Sequence, residues 1–342
     1  MLYIATIGSH SALQILKGAK LEGFKTLLIC SKKREKFYRN FGFIDEFIIV
    51  ENFDEILNEN IQERMLELNA IFIPHGTLIS ESNIEIFEKK FKPPIFGNRR
   101  IFKWEADRIL KDFLLREAGI KTPKYFEKIE DVDRPVIVKL PGAEGGRGYF
   151  IAKDKNDLEN KLNEIIKKGL LRENEKIFIQ EYIIGITLYP HFFYSPILKR
   201  LELLGCDRRY ETNVDALGRI CAKDQLELNI IPTFRVIGNI PIVIRESMLP
   251  DILEFGEKFV NATKKLIPPG MIGPFCLEMI CDEFGELYTF EFSGRIVAGT
   301  NLFIEGSPYS SLIFDEPMSM GRRIAREIKM AYEEGRLKEV IT

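Results

Sequence analysis

VIVKLPGAEGGRGYF, running from Val136 to Phe150, decides how the rest of the chain is read. Two apolar runs, PVIVKL and YFIAK, flank the segment PGAEGGRG, so the pattern predicts two strands joined by a glycine-rich loop. Gly142, Gly145, Gly146 and Gly148 let successive backbone N–H groups approach an anion closely. Lys139 ends the first strand and Arg147 lies inside the loop, which puts two cations within reach of a phosphate. The loop is no Walker A sequence, since G-x-x-x-x-G-K-[ST] is missing. It is no dinucleotide fingerprint either, because a strand rather than a helix follows the glycines.

Upstream, LYIATIG (2–8), KTLLIC (25–30), DEFIIV (45–50) and AIFIPHG (70–76) alternate with helical patterns. That rhythm predicts a parallel sheet with crossover helices. PPIFGNRR (93–100) breaks it with two prolines, a glycine and a basic pair, which suggests a boundary near residue 100. Residues 101–119 read as one helix ending at Gly119. Downstream, KIFIQEYI (176–183) and GITLYPHFFYS (185–195) read as strands, and 246–267 reads as a long helix. FCLEMICDEFGELYTFEFS (275–293) reads as a hairpin, and a last helix covers about 321–334. The expected class is α/β with an α+β C-terminal part, divided into 1–100, 101–190 and 191–342. In that hairpin Glu278 and Glu291 fall on facing strands. Two carboxylates at one pocket suit a hard divalent cation such as Mg²⁺. Arg295, four residues on, could neutralise charge on a phosphoryl group in transfer. Glu181, at a strand end before an apolar run, suits an adenine amino group or a ribose.

Composition narrows the function classes. The chain has 342 residues, 45% hydrophobic and 29% charged, an ordinary globular balance. Lys plus Arg total 49 against 51 Asp plus Glu, for a formal charge of -2, which argues against a general nucleic-acid binder. The cysteines, Cys30, Cys206, Cys221, Cys276 and Cys281, form no C-x-x-C and suit free thiols in a reducing compartment. No signal-peptide pattern opens the sequence, and no apolar run approaches the ~20 residues of a membrane span. A cytoplasmic protein without membrane or nucleic-acid partners is expected.

The order of features, an α/β unit, a strand-lysine-glycine-loop hairpin, a strand-end glutamate, then paired glutamates and an arginine, resembles the ATP-grasp superfamily. Longer strings narrow the resemblance: TIGSHSALQILKGAKLEGFKT, FGNRRIFKWE, PGAEGGRGYFIA, DRRYETNVD, PPGMIGPFCLE and SMGRRIAREIKMA. Together they look like the archaeal formate-dependent 5-formaminoimidazole-4-carboxamide ribonucleotide synthetases, from Ile4 to Ala331. The resemblance implies an ADP-forming ligase that couples ATP and formate to formylation of aminoimidazole carboxamide ribonucleotide, through formyl phosphate. It implies His10, Ser11, Thr77 and Asn239 on the ribonucleotide. It implies Lys139, Gly145, Gly146, Arg147, Glu181 and Glu211 on ATP, and Glu278 and Glu291 on Mg²⁺ or Mn²⁺. Lys139 and Arg295 would be catalytic, and the assembly a homo-oligomer, trimer or hexamer. His191, in an aromatic strand, reads as structural, and Arg99 and Arg100 as phosphate ligands or a solvated pair.

Four positions depart from the family pattern. Ser293 replaces an asparagine, Val297 lies where an acidic residue is expected, Glu144 sits in the glycine loop, and Phe113 stands where a relative places lysine. Two other readings therefore stay open at this point: a ligase with a different nucleotide or acid, and a nucleotide-binding protein without turnover.

Overall fold

Strand β1 (Tyr3–Ile7) lies between β2 (Lys25–Ser31) and β4 (Ala70–Phe72), with β3 (Glu46–Val50) outside β2, and all pair in parallel. The centre of β2, TLLIC, is buried residue after residue, as a strand covered on both faces requires. The order β3-β2-β1-β4 makes the chain leave β1 towards one side and return at β4 on the other. The crevice between the carboxyl ends of β1 and β4 is where such a sheet receives a ligand. The computed structural model describes residues 2–141, 148–172, 175–228 and 232–342.

A second sheet has the order β5-β8-β6-β7: β5 (Tyr125–Phe126), β6 (Val136–Lys139), β7 (Tyr149–Ala152) and β8 (Phe178–Glu181). The helix Lys155–Lys167 covers it with Leu158 and Leu162, one turn apart. Val136, Val138, Ala152 and Ile179 complete a core separate from the others.

The third sheet is antiparallel, in the order β11-β10-β9-β12-β13: β9 (Gly185–Ser195), β10 (Arg200–Asn213), β11 (Phe234–Pro241), β12 (Gly273–Asp282) and β13 (Leu287–Ser293). Phe259, on the helix Leu249–Leu266, stacks on Phe275, which stacks on Phe192, each pair 5.0 Å apart. β9 runs unbroken through residue 190, so a division at 190–191 would cut it. Between β10 and β11 lie two short helices, Val214–Leu217 and Ala222–Glu227. Among the described residues no helix is long and apolar enough to cross a membrane.

Residues 101–119 form two helices, Ile101–Ala106 and Arg108–Glu117, rather than one. Asp107 breaks the path by capping the second, accepting from the N–H groups of Ile109 (2.8 Å) and Leu110 (3.0 Å). The C-terminal helix Met320–Glu333 crosses the first helix, Ala12–Leu21, almost backbone to backbone. A Cβ on Gly321 would lie 2.3 Å from the Gln14 carbonyl oxygen, and one on Gly18 would lie 2.2 Å from the Arg322 nitrogen. The same helix buries Arg323, which donates to Glu202 on β10 (2.7 Å) and to Glu327 (2.8 Å). The first and third sheets are thereby fastened to each other. Gly321→Ala is expected to destabilise the protein by about 1–3 kcal/mol despite alanine's better helix propensity, because the added carbon meets backbone that must move. Urea unfolding monitored by circular dichroism measures the difference.

Candidate active site

The site begins where β1 and β4 end. After β1 the chain turns through His10, at φ 37°, a left-handed conformation that swings its ring towards the β4 loop. There His10 Nδ1 lies 2.8 Å from Thr77 Oγ1. His75, 1% exposed, donates from Nε2 to the Ile7 carbonyl (2.8 Å) and accepts at Nδ1 from the Thr77 N–H (3.3 Å). Both ring nitrogens are satisfied by a single neutral tautomer, and burial lowers the pKa of His75 to about 3. It is a peg on which His10 stacks, with ring centres 5.7 Å apart. Burial first, then Arg295 and Arg34, lowers the pKa of His10 below its ordinary value. Ser11 is fully buried and donates to the Val297 carbonyl (3.3 Å), so its hydroxyl serves packing rather than the cleft.

The strand end and the large sheet meet directly: His75 bridges Ile296 in parallel fashion. Gly76 makes the meeting possible, since a Cβ there would lie 3.2 Å from the His10 ring and 3.5 Å from the Arg295 guanidinium carbon. Arg295 is held by Glu105, 2.9 Å away and 4% exposed, which also accepts from the Gly294 N–H (2.9 Å). The Arg295 Nε is buried with no partner among the described residues.

Glu278 and Glu291 stand opposite one another on β12 and β13. Like charges so placed repel, and three cations answer them. Lys139 Nζ lies 3.1 Å and Lys111 Nζ 3.5 Å from Glu291, while Arg209 lies 2.8 Å from Glu278. Burial alone would raise the pKa of Glu291, but Lys111 and Lys139 more than reverse this and hold it well below the carboxylate range. Arg209 sits over the Tyr189 ring, 4.1 Å from its centre; burial disfavours its charge and the Glu278 carboxylate restores it. Oε2 of Glu278 is buried with no partner among the described residues, and Ser293 Oγ lies 3.3 Å from Oε1. No three His, Cys, Asp or Glu side chains converge here among the described residues. A pair of carboxylates and a hydroxyl nevertheless fits Mg²⁺, which keeps waters and phosphate oxygens as its remaining ligands. The unpartnered Glu278 oxygen is the observation that favours it.

Glu278, Glu291 and Ser293 line one cleft of about 1180 Å³, which Arg108, Lys111, Tyr149 and Arg209 share with His10 and Arg295. Burial and then the Glu291 charge push the Tyr149 hydroxyl up to about 12, so it stays protonated. Gly145, Gly146, Arg147 and Glu144 lie outside the described residues. Glu211, beside a bulge in β10, has its pKa raised by burial and by the neighbouring Asp215 and Glu278. Glu181 spends its carboxylate on Arg134 (2.8 Å) and the Lys124 N–H (3.0 Å), at the strand end beyond the cleft lining. Asn239 donates to Asp207 (2.6 Å). Arg99 is bound to the carbonyls of Phe91 (2.9 Å) and Thr342 (2.6 Å), which makes it a structural tie and removes it from the phosphate candidates.

Reading the sequence alone missed Glu105, Lys111 and Arg209. Lys111 explains one departure: Phe113 rests on Trp104, and the cation comes from two residues earlier.

The chain matches two family profiles, "Protein of unknown function (DUF1246)" over residues 4–126 and "Domain of unknown function (DUF1297)" over 157–342. It is 52% identical over 341 residues to a protein of Methanocaldococcus jannaschii named "5-formaminoimidazole-4-carboxamide-1-(beta)-D-ribofuranosyl 5'-monophosphate synthetase", covering 99% of this chain and 94% of that one. The crystal structure of "an IMP biosynthesis protein PurP" from Thermococcus kodakaraensis superposes with a TM-score of 0.78 at 37% identity, covering 99% of this chain and 100% of the other. A biotin carboxylase domain from Hydrogenobacter thermophilus, solved with MgADP and bicarbonate, shares the fold at 19% identity and a TM-score of 0.64, over 94% of this chain and 69% of that one. The second and third sheets therefore form the ATP-grasp fold, preceded by the parallel α/β unit of the first. Because half the residues agree along nearly the full length of both sequences, the chain belongs to the 5-formaminoimidazole-4-carboxamide-1-(beta)-D-ribofuranosyl 5'-monophosphate synthetase family.

Proposed function

We propose that the protein joins formate to the amino group of aminoimidazole carboxamide ribonucleotide at the expense of ATP, as an ADP-forming ligase of purine biosynthesis. The observation that carries this reading is the convergence of the β1 and β4 loops with Arg295 and the paired glutamates in one cleft, in a chain 52% identical to a named synthetase. In the first half-reaction a formate oxygen attacks the γ-phosphorus of ATP, ADP leaves, and formyl phosphate forms. In the second, the amine attacks the formyl carbon, phosphate leaves with the C–O electron pair, and the nitrogen sheds a proton.

The side chains divide this work. His10 and Thr77 hold the ribonucleotide, with Asn239 at its far side. Lys139 and Lys111 neutralise phosphate oxygens from the small sheet and from the helix Arg108–Glu117. Arg295, steadied by Glu105, sits between the two ligands and steadies the acyl phosphate. Glu278, Glu291 and Ser293 would hold Mg²⁺ or Mn²⁺, and a bound metal would supply neutralisation of phosphate charge. Gly145, Gly146 and Arg147 would complete the phosphate cover, and Glu211 the nucleoside end. Water excluded from the closed cleft cannot hydrolyse the intermediate. The working form is a cytoplasmic homo-oligomer.

Incubation with ATP, formate and the ribonucleotide, followed by chromatography for the formamido product, tests the proposal. Product that forms equally well without formate, or no product at all, refutes it. The two ligands should also fail separately. His10→Ala is expected to weaken ribonucleotide binding roughly 5- to 150-fold, for the loss of ~1–3 kcal/mol of contact, and to leave ATP binding nearly unchanged. Lys139→Ala should do the reverse, and calorimetric titration of each ligand into each variant reads both.

A further inference from the structure

A buried polar chain runs behind Asn239. His191, 1% exposed, donates from Nε2 to Asp207 Oδ1 at 2.7 Å. Asp207, 2% exposed, accepts at its other oxygen from Asn239 Nδ2 at 2.6 Å. A carboxylate only accepts, so the Asn239 amide must turn its NH₂ group inward and its carbonyl oxygen outward. Asn239 pairs with Arg209 across β10 and β11, and directly opposed residues share a sheet face. Arg209 reaches Glu278 in the cleft, so Asn239 lies on the sheet face that looks towards the cleft. Asp207 itself is wedged in place: a Cβ on Gly299 would fall 2.1 Å from its Oδ1. Two residues further on, Asn301 donates to the His10 carbonyl at 2.9 Å. One short turn therefore couples this chain to the other ribonucleotide contact.

We propose that Asp207, gripped by His191, is a positioning residue that fixes the Asn239 amide with its oxygen towards the ribonucleotide, so that the site selects a carboxamide over a carboxylate. The inference rests on the substrate reading above and deepens it. A fixed acceptor takes an N–H of the carboxamide. A carboxylate at the same place brings only acceptors, and the lone pairs repel. Position 207 needs an acid because two donors arrive from opposite sides. A side chain with no acceptor there releases the Asn239 amide, and a flipped Asn239 would offer its NH₂ to the ligand instead.

The test is calorimetric titration, without ATP, of the carboxamide ribonucleotide and of its analogue bearing a carboxylate in that position. The wild-type protein is expected to favour the carboxamide by about tenfold or more, as a site built to pair a polar group rejects its mismatch. Asp207→Ala and Asp207→Leu, neither of which leaves an acceptor for the Asn239 amide, should each bring that ratio down several-fold. The ratio is insensitive to the fraction of protein folded, so a merely structural role would leave it unchanged, and circular dichroism confirms that each variant is folded. A wild-type ratio in either folded variant overturns the positioning role while leaving the substrate reading intact. Binding of neither nucleotide by the wild-type protein overturns the substrate reading and this inference with it.

Discussion

Glu291→Gln is expected to reduce formamide-forming turnover on the order of 10³-fold or more, the several kcal/mol that a metal carboxylate supplies to a charged transition state. The side chain lies between Lys139 and Lys111, at 3.1 and 3.5 Å, and faces Glu278 across the hairpin. Glutamine keeps its volume and removes its charge, which leaves two cations close together and the opposing carboxylate without its partner ligand. The change falls on chemistry more than on affinity, because Lys139 and Lys111 remain available to phosphate. Single-turnover product formation and calorimetric binding of a non-hydrolysable ATP analogue separate the two effects. Near-normal turnover would remove Glu291 from the metal site.

Arg295→Ala should cost almost as much, about 10²- to 10³-fold in turnover, in the range seen when a preorganised donor is taken from a developing charge. It should also lower stability by about 3–5 kcal/mol, because Glu105 would be left as a buried, unpaired carboxylate. The two losses have different cures. Adding Glu105→Gln to Arg295→Ala removes the orphaned charge, so much of the stability should return while activity stays absent. Thermal unfolding and product formation, measured on both variants, check this. If the second substitution restored activity as well, Arg295 would be a structural residue only.

Much of the architecture was legible because its signals are local. The glycines after Lys139, the alternation in the first hundred residues and the facing Glu278 and Glu291 each declare themselves within about twenty residues. Asp107, the cap that divides 101–119 into two helices, was hidden by a continuous apolar pattern on both sides. What stayed hidden depends on chain-distant partners. Glu105 sits in an ordinary helical pattern and reads as solvated until Arg295 arrives 190 positions later. Arg209 looks like half of a basic pair until β12 brings Glu278 alongside it. Ser11 and Glu181 err in the other direction. Their neighbourhoods were placed correctly, but the side chains are spent on Val297 and on Arg134. Position along a strand is written in the pattern, whereas the direction a side chain takes is settled by whatever packs on it.

The close crossing of the Ala12–Leu21 and Met320–Glu333 helices has a consequence for the timing of the reaction. With Gly18 and Gly321 in contact, the sheet that carries His10 and the sheet that carries Glu278, Glu291 and Arg295 behave as one anvil. The small sheet, with its separate core, is the hammer. Formyl phosphate would be made and spent against a surface that does not rearrange between the two half-reactions. On the mechanism proposed above, the amine would then wait at its attack position before its electrophile exists, and the lifetime of the intermediate would be set by one chemical step rather than by a search.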